Sequence, residues 1–235
     1  MHQRNILLGA LVVVLLWAPC FCMAGWKDSF DAYPSNSPLP APWEDSHYVL
    51  SESTGLSIFQ SAGDGGCKGK GTCNGVKGDT SGATAWSRAW RTVDGVSRLK
   101  SSLRVSTNAD SDAVIGFTAT KDTKSDQPLG NPDSVVVRLQ SAKTGATLSF
   151  WIGNTCASSI PVSRNQWYDV QVSVSGRAFI VEYRQTGLDN WRRMGAGEHR
   201  PGFKIGYALV ASRRDGYLDD ISALTTPIFA LNPEK

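Results

Sequence analysis

The segment T-A-W-S-R-A-W-R at residues 84–91 puts Trp86, Arg88 and Trp90 at every second position. In an extended strand, side chains alternate between the two faces, so these three share one. Two indoles beside a guanidinium suit a sugar. The rings stack on apolar C–H patches, and the guanidinium takes a carboxylate or sulfate through paired hydrogen bonds. The alternative is that Trp86 or Trp90 fills a core while the Arg88 head reaches the rim. Arg104, Arg138 and Trp151 fall out of phase with the apolar sets Leu99/Leu103/Val105, Val135/Val137/Leu139 and Leu148/Phe150/Ile152. They too are expected to face away from a core, and if their strands share one concave sheet the six side chains line a groove.

Other chemistry finds little footing. His47 and His199 are the histidines beyond the first 24 residues, and neither sits in a recognisable catalytic or zinc setting. G-x-S-x-G and H-E-x-x-H are absent, and the glycine-rich stretch lacks the G-K-[ST] ending of a phosphate cradle. Asp110 and Asp112 in N-A-D-S-D read as turn residues held by local backbone bonding. Trp167 reads as a packing residue, and Trp191 in L-D-N-W-R-R-M as either an exposed contact or a loop anchor.

The elements that must position these residues are short strands. Apolar-alternating runs recur at Trp86–Val93, Ser97–Ser106, Ala113–Thr118, Ser134–Gln140, Thr147–Ile152, Trp167–Val174, Ala178–Tyr183, Lys204–Ala211 and Gly216–Leu224. Turn residues separate them: G-N-P-D at 130–133, K-T-G at 143–145, S-G-R at 175–177 and R-D-G at 214–216. This is the pattern of an all-β sandwich. The prolines of 35–42 force an extended surface crossing. Residues 61–84 carry eight glycines and read as a long inserted loop. No repeat or linker divides the rest, so residues 25–235 are expected to form a single domain.

Composition sets the compartment and removes one class of partner. The net charge is +3, and Lys and Arg are scattered without a run, so the basic footprint of a nucleic-acid binder is missing. Residues 1–24 combine a basic start at Arg4, an apolar run from Ile6 to Trp17 and a small-residue end near Ala24. These features read as a signal peptide, with the processed chain secreted or periplasmic and without a membrane span. Export leaves Cys67, Cys73 and Cys156 where disulfides persist. Cys67 with Cys73 is the favoured pair, a bridge from Cys156 to either is the alternative, and a spare thiol is expected to be buried and inert.

Three stretches resemble the concanavalin A-like lectin/glucanase superfamily, including its laminin-G-like and MAM-like members. They are W-K-D-S-F-D-A-Y at 26–33 with Trp43 downstream, N-Q-W-Y-D-V-Q-V-S-V at 165–174, and G-Y-L-D-D-I-S-A-L at 216–224. The resemblance implies an antiparallel two-sheet jelly roll whose first and last strands are neighbours, and a structural calcium ion. Such neighbours would bring Asp31 to the Asp219–Asp220 pair, with Asp31 and Asp220 as ligands, since calcium takes six to eight oxygens. The alternative is a set of solvated edge charges. Glycoside hydrolases of the superfamily carry E-x-D-x-x-E, because retaining hydrolysis needs two carboxyls roughly 5 Å apart. That string is absent here, as are the R-x-E-x-R, Q-I-H and Y-x-K-x-G-x-Y strings of lyases on the same scaffold.

The reading that follows is a secreted, non-catalytic carbohydrate-binding or adhesion-type module with an acidic glycan as its partner. A glycan hydrolase or lyase with an atypical site is one rival. A structural surface or envelope protein making protein contacts is the other.

Overall fold

Each apolar set that alternates in the sequence becomes the inner face of a strand in the computed structural model. The model describes residues 25–30, 39, 41–46, 48–49, 56–57, 60–63, 75–77, 86–121 and 131–225. In chain order the strands are β1 (Gly25–Asp28), β2 (Glu44–Ser46), β3 (Tyr48–Val49), β4 (Leu56–Ser57), β5 (Gln60–Gly63), β6 (Gly75–Lys77), β7 (Ser87–Thr92), β8 (Arg98–Val105), β9 (Asp112–Thr118), β10 (Ser134–Ala142), β11 (Gly145–Ile152), β12 (Thr155–Val162), β13 (Tyr168–Ser175), β14 (Ala178–Gln185), β15 (Arg192–Glu198), β16 (Tyr207–Arg213) and β17 (Gly216–Leu224). No helix occurs among the described residues.

Two antiparallel sheets stack. The eight-stranded sheet runs β15-β14-β13-β8-β17-β6-β5, with β1 also on β17, and the seven-stranded sheet runs β12-β11-β10-β9-β16-β7-β2. Leu99, Leu103, Val170, Val172, Leu218 and Ile221 line the inner face of the first sheet. Ile115, Phe117, Val137, Leu139, Leu148, Phe150 and Val210 do the same for the second. All thirteen are fully buried, and each contributes about 1.5–3 kcal/mol by leaving water.

The first and last strands are neighbours, in register from Gly25 opposite Leu224 to Asp28 opposite Ile221. The W-K-D-S-F motif holds this junction together. The Asp28 carboxylate accepts from the Phe30 backbone N–H at 2.9 Å and from Trp43 Nε1 at 2.7 Å. Phe30 and Trp43 reach the main core. The Arg91 guanidinium lies 3.9 Å from the Trp26 ring centre and 3.9 Å from Asp28 Oδ2. A buried carboxylate is tolerated here because it is hydrogen-bonded and faces a cation.

Three expected turns close three hairpins. Lys143 and Thr144 join β10 to β11, Gly176 at φ 61° joins β13 to β14, and Arg214 at φ 52° joins β16 to β17. The structure corrects the sequence reading in two places. Residues 61–84 are not one uninterrupted loop, because β5 and β6 pair with each other and β6 pairs with β17. The sequence reading also missed β12 and β15, which form one edge of each sheet.

Candidate functional site

On β9 the residues Ala113, Ile115 and Phe117 point into the core, which turns Asp112, Val114, Gly116 and Thr118 to the outer face of the seven-stranded sheet. Antiparallel register sets Arg213 of β16 opposite Asp112, and Arg138 of β10 opposite Val114. The Asp112 side chain is entirely buried between two guanidiniums. Arg138 Nε donates to Oδ1 at 2.7 Å, while Arg213 Nε and Nη2 each lie 2.7 Å from Oδ2. Charge-assisted bonds on both oxygens offset the desolvation of this carboxylate. Both guanidiniums also lie over the Trp86 ring, at 5.7 Å for Arg138 and 5.3 Å for Arg213, within the range of cation–π attraction. Two cations therefore share one anion, and both arginine side chains keep a partial opening to solvent.

Around this pair lies a second apolar cluster, separate from the main core: Trp86, Trp90, Val114, Val136, Leu209 and Ala211, with Trp151 and Tyr207 half-buried against it. Arg88 lies over Trp90 at 5.5 Å, and Trp151 Nε1 donates to Ser149 Oγ at 2.9 Å. Five of the six expected ligand residues, Trp86, Arg88, Trp90, Arg138 and Trp151, thus share one sheet and its outer face. They do not form the open groove expected of them, because Trp86, Arg88 and Trp90 retain only 3%, 1% and 2% exposure. The core-filling alternative does not hold either: both indoles pack in the outer cluster and not in the main core, which Ala89 between them joins, and Arg88 does not reach the rim.

Arg104 is not with the others. It belongs to the eight-stranded sheet, 5.2 Å from the Trp167 ring and 4.5 Å from that of Tyr217. Burial, and secondarily the Asp215 carboxylate, push the Tyr217 hydroxyl above its usual range, against the opposing pull of Arg104. Trp191 is half-buried, with Lys100 at 5.4 Å and Arg184 at 4.8 Å, and so acts as a loop anchor. Asp110 is a turn residue at φ 65°, as expected. Asp112 is instead the buried centre of the outer-face arginine pair. It and Arg213 are the functional candidates that sequence reasoning missed. Arg213 could have been found by continuing the Leu209/Ala211 alternation one step.

At the proposed metal corner, Asp31 lies outside the described residues. Asp220 sits at φ 48° in an irregularity of β17, and its carboxylate faces Lys27 Nζ at 3.5 Å. Asp219 accepts the Asp220 backbone N–H at 2.7 Å. Among the described residues no group of three or more His, Cys, Asp or Glu gathers to hold a metal, so these residues alone do not supply a calcium shell. Cys67 and Cys73 also lie outside the described residues. Cys156 is exposed on β12, where a buried thiol was expected.

No family model matches the sequence, and no curated protein is significantly similar to it. Solved structures do match. The VIP36 exoplasmic/lumenal domain in its Ca2+-bound form gives a TM-score of 0.53 at 12% identity, over 78% of this chain and 89% of that one. Its Ca2+/Man2-bound form gives 0.53 at 11%, over 89% and 90%. The fold is the concanavalin A-like jelly roll. The GH43 protein BlXynB from Bacillus licheniformis matches with a TM-score of 0.50 at 10% identity, over 85% of this chain and 39% of that one. No helix among the described residues is long and apolar enough to cross a membrane.

Proposed function

We propose that this chain is an exported, non-catalytic carbohydrate-binding or adhesion-type module that takes an acidic glycan on the outer face of its seven-stranded sheet. The observation that carries the reading is the pair Arg138 and Arg213 sharing one carboxylate. The surplus positive charge is held in fixed orientation over Trp86. Guanidinium donors not taken by Asp112 suit the planar carboxylate of a uronate, or two oxygens of a sulfate. The half-exposed rings of Trp151 and Tyr207 supply the apolar platform beside them. Trp86 acts from beneath, keeping the two arginines in place, and Trp90, with Arg88 over its ring, packs in the same cluster. Asp112 favours binding over hydrolysis, since both its oxygens are occupied by guanidiniums and it presents neither a nucleophile nor a proton donor. That the VIP36 domain was solved with Ca2+ and Man2 supports a glycan partner for a sandwich of this kind.

A glycan array spanning acidic and neutral sugars tests the reading. Binding to acidic glycans is expected, weakened tenfold or more by Arg138→Gln and by Trp151→Ala in proteins that stay folded; a tenfold change corresponds to about 1.4 kcal/mol. Uniform silence across the array would favour a protein-contact role instead. Calcium at Asp31 and Asp220 belongs to the same proposal, supported by the Ca2+-bound VIP36 structure. Chelation is then expected to lower the melting temperature, and Asp220→Asn to abolish that response. A melting temperature indifferent to chelator removes the ion.

A further inference from the structure

On the outer face of the seven-stranded sheet, the paired arginines and the Trp151 ring occupy different places. Arg138 and Arg213 converge on Asp112 of β9. Trp151 belongs to β11, two strands away, so about 10 Å separates the two centres at the ordinary strand spacing. The side chains do not close that gap. Arg138 turns its guanidinium away from β11, towards Asp112 and the Trp86 ring. Trp151 is tied back along its own strand, with Nε1 donating to Ser149 Oγ at 2.9 Å. Ser149 is buried, and its hydroxyl in turn lies 3.4 Å from the Arg138 carbonyl. The one polar hydrogen of the indole is thereby used internally, and the ring presents apolar surface alone. Leu148 and Phe150 point into the core, which leaves Thr147, Ser149 and Trp151 on the outer face. Register adds Ser159 opposite Ser149 and Cys156 opposite Trp151, both exposed on β12. Neither β11 (G-A-T-L-S-F-W-I) nor β12 (T-C-A-S-S-I-P-V) contains a charged residue. Towards β7 and β16, by contrast, Trp86, Trp90 and Leu209 are buried, so the face opens on the β12 side of the arginines.

We propose that the ligand is a chain of at least two linked sugars, an acidic residue at Arg138 and Arg213 followed by a neutral one on Trp151, running towards the β12 edge, with Ser149 as the positioning residue for the second ring. The proposal rests on the function given above and adds the composition and direction of its ligand. The distance between the two centres is one that two linked rings cover and a single ring does not. An apolar indole face rimmed by the hydroxyls of Thr147 and Ser159 suits the C–H face and hydroxyls of a neutral sugar. A chain with a carboxylate on every ring would instead lay an unpaired charge on that surface, which costs desolvation without a compensating cation.

Calorimetry with hyaluronan tetrasaccharide, in which acidic and neutral rings alternate, tests this against tetragalacturonate, acidic at every ring, and cellotetraose, acidic at none. The alternating chain is expected to bind at least tenfold tighter than either. Cys156 supplies a second readout, because it stands opposite Trp151. Saturating tetrasaccharide should slow its alkylation by iodoacetamide about fivefold or more, read by mass spectrometry of its peptide, and sodium glucuronate, which fills the acidic position alone, should not. Ser149→Ala should weaken the alternating chain tenfold or more and erase its advantage over tetragalacturonate, with Ser149→Thr restoring both. Arg138→Gln should weaken glucuronate and tetrasaccharide alike. Equal affinity for tetragalacturonate, unslowed alkylation at saturation, or indifference to Ser149→Ala would overturn the proposal, and acidic binding that still depends on Arg138 would then leave the outer-face reading standing. Silence towards every acidic sugar, or binding that survives Arg138→Gln, would overturn both. The alkylation assay and the comparison of the three chains use the unaltered protein, so they do not depend on how the variants fold.

Discussion

At the scale of single residues, Asp112 carries more than its position in a turn-like sequence suggests. Its carboxylate joins β10 to β16 through Arg138 and Arg213, partners 26 and 101 positions away. Removing it strands two partly buried guanidiniums beside one another. Asp112→Ala is therefore expected to cost about 3–5 kcal/mol in urea unfolding, whereas Asp110→Asn, in an exposed turn at a positive φ that Asn tolerates, should cost little. A value for Asp112→Ala near zero would mean the arginines find other partners. Tyr217 sets an alkaline limit. Burial raises its folded hydroxyl above the ordinary tyrosine range, so the folded state holds the proton more tightly than the unfolded one. The stability this contributes is complete below the unfolded value and is lost as pH rises through the folded one. Unfolding free energies of the parent should thus fall relative to Tyr217→Phe as pH rises above about 9–10, and stay parallel below that. Parallel curves throughout would show that Tyr217 titrates as it does unfolded.

At the scale of elements, Gly216 shows how closely the two sheets meet. It opens β17 in one sheet, and a Cβ there would collide with the backbone carbonyl of Asp112, which opens β9 in the other. Gly216→Ala should destabilise by about 1–3 kcal/mol and also weaken acidic-glycan binding, because Asp112 must move and it carries the arginines. A loss of stability without any loss of binding would uncouple the two. Period-2 alternation made nine strands legible in the sequence because each has one packed face. β12 and β15 were not legible for the same reason. Both are edge strands, T-C-A-S-S-I-P-V and R-R-M-G-A-G-E, in which burial hardly alternates apolar with polar side chains. Pro161 sits in β12, where an edge tolerates a missing donor.

At the scale of the whole molecule, phase along a strand told which way a side chain faces but not in which sheet it lies. That is why Arg138 and Trp151 joined Trp86 while Arg104 did not. Strand order in the sheets departs from chain order, and the burial of Trp86 and Trp90 in an outer cluster depends on that order. The adjacency of first and last strands was legible only through the resemblance carried by the terminal motifs.

The closing strand β17 does not sit at a border. It pairs with β8 along one side, and with β6 and then β1 along the other. The stretch leaving the ribosome after nearly all the others is thus the one that fills the middle of its sheet. Until it emerges, β8 and β1 have no partner between them, and the sandwich cannot close piecemeal during synthesis. Assembly of this sheet must wait for residues 216–224, a pairing between distant parts of the chain that is intrinsically slow.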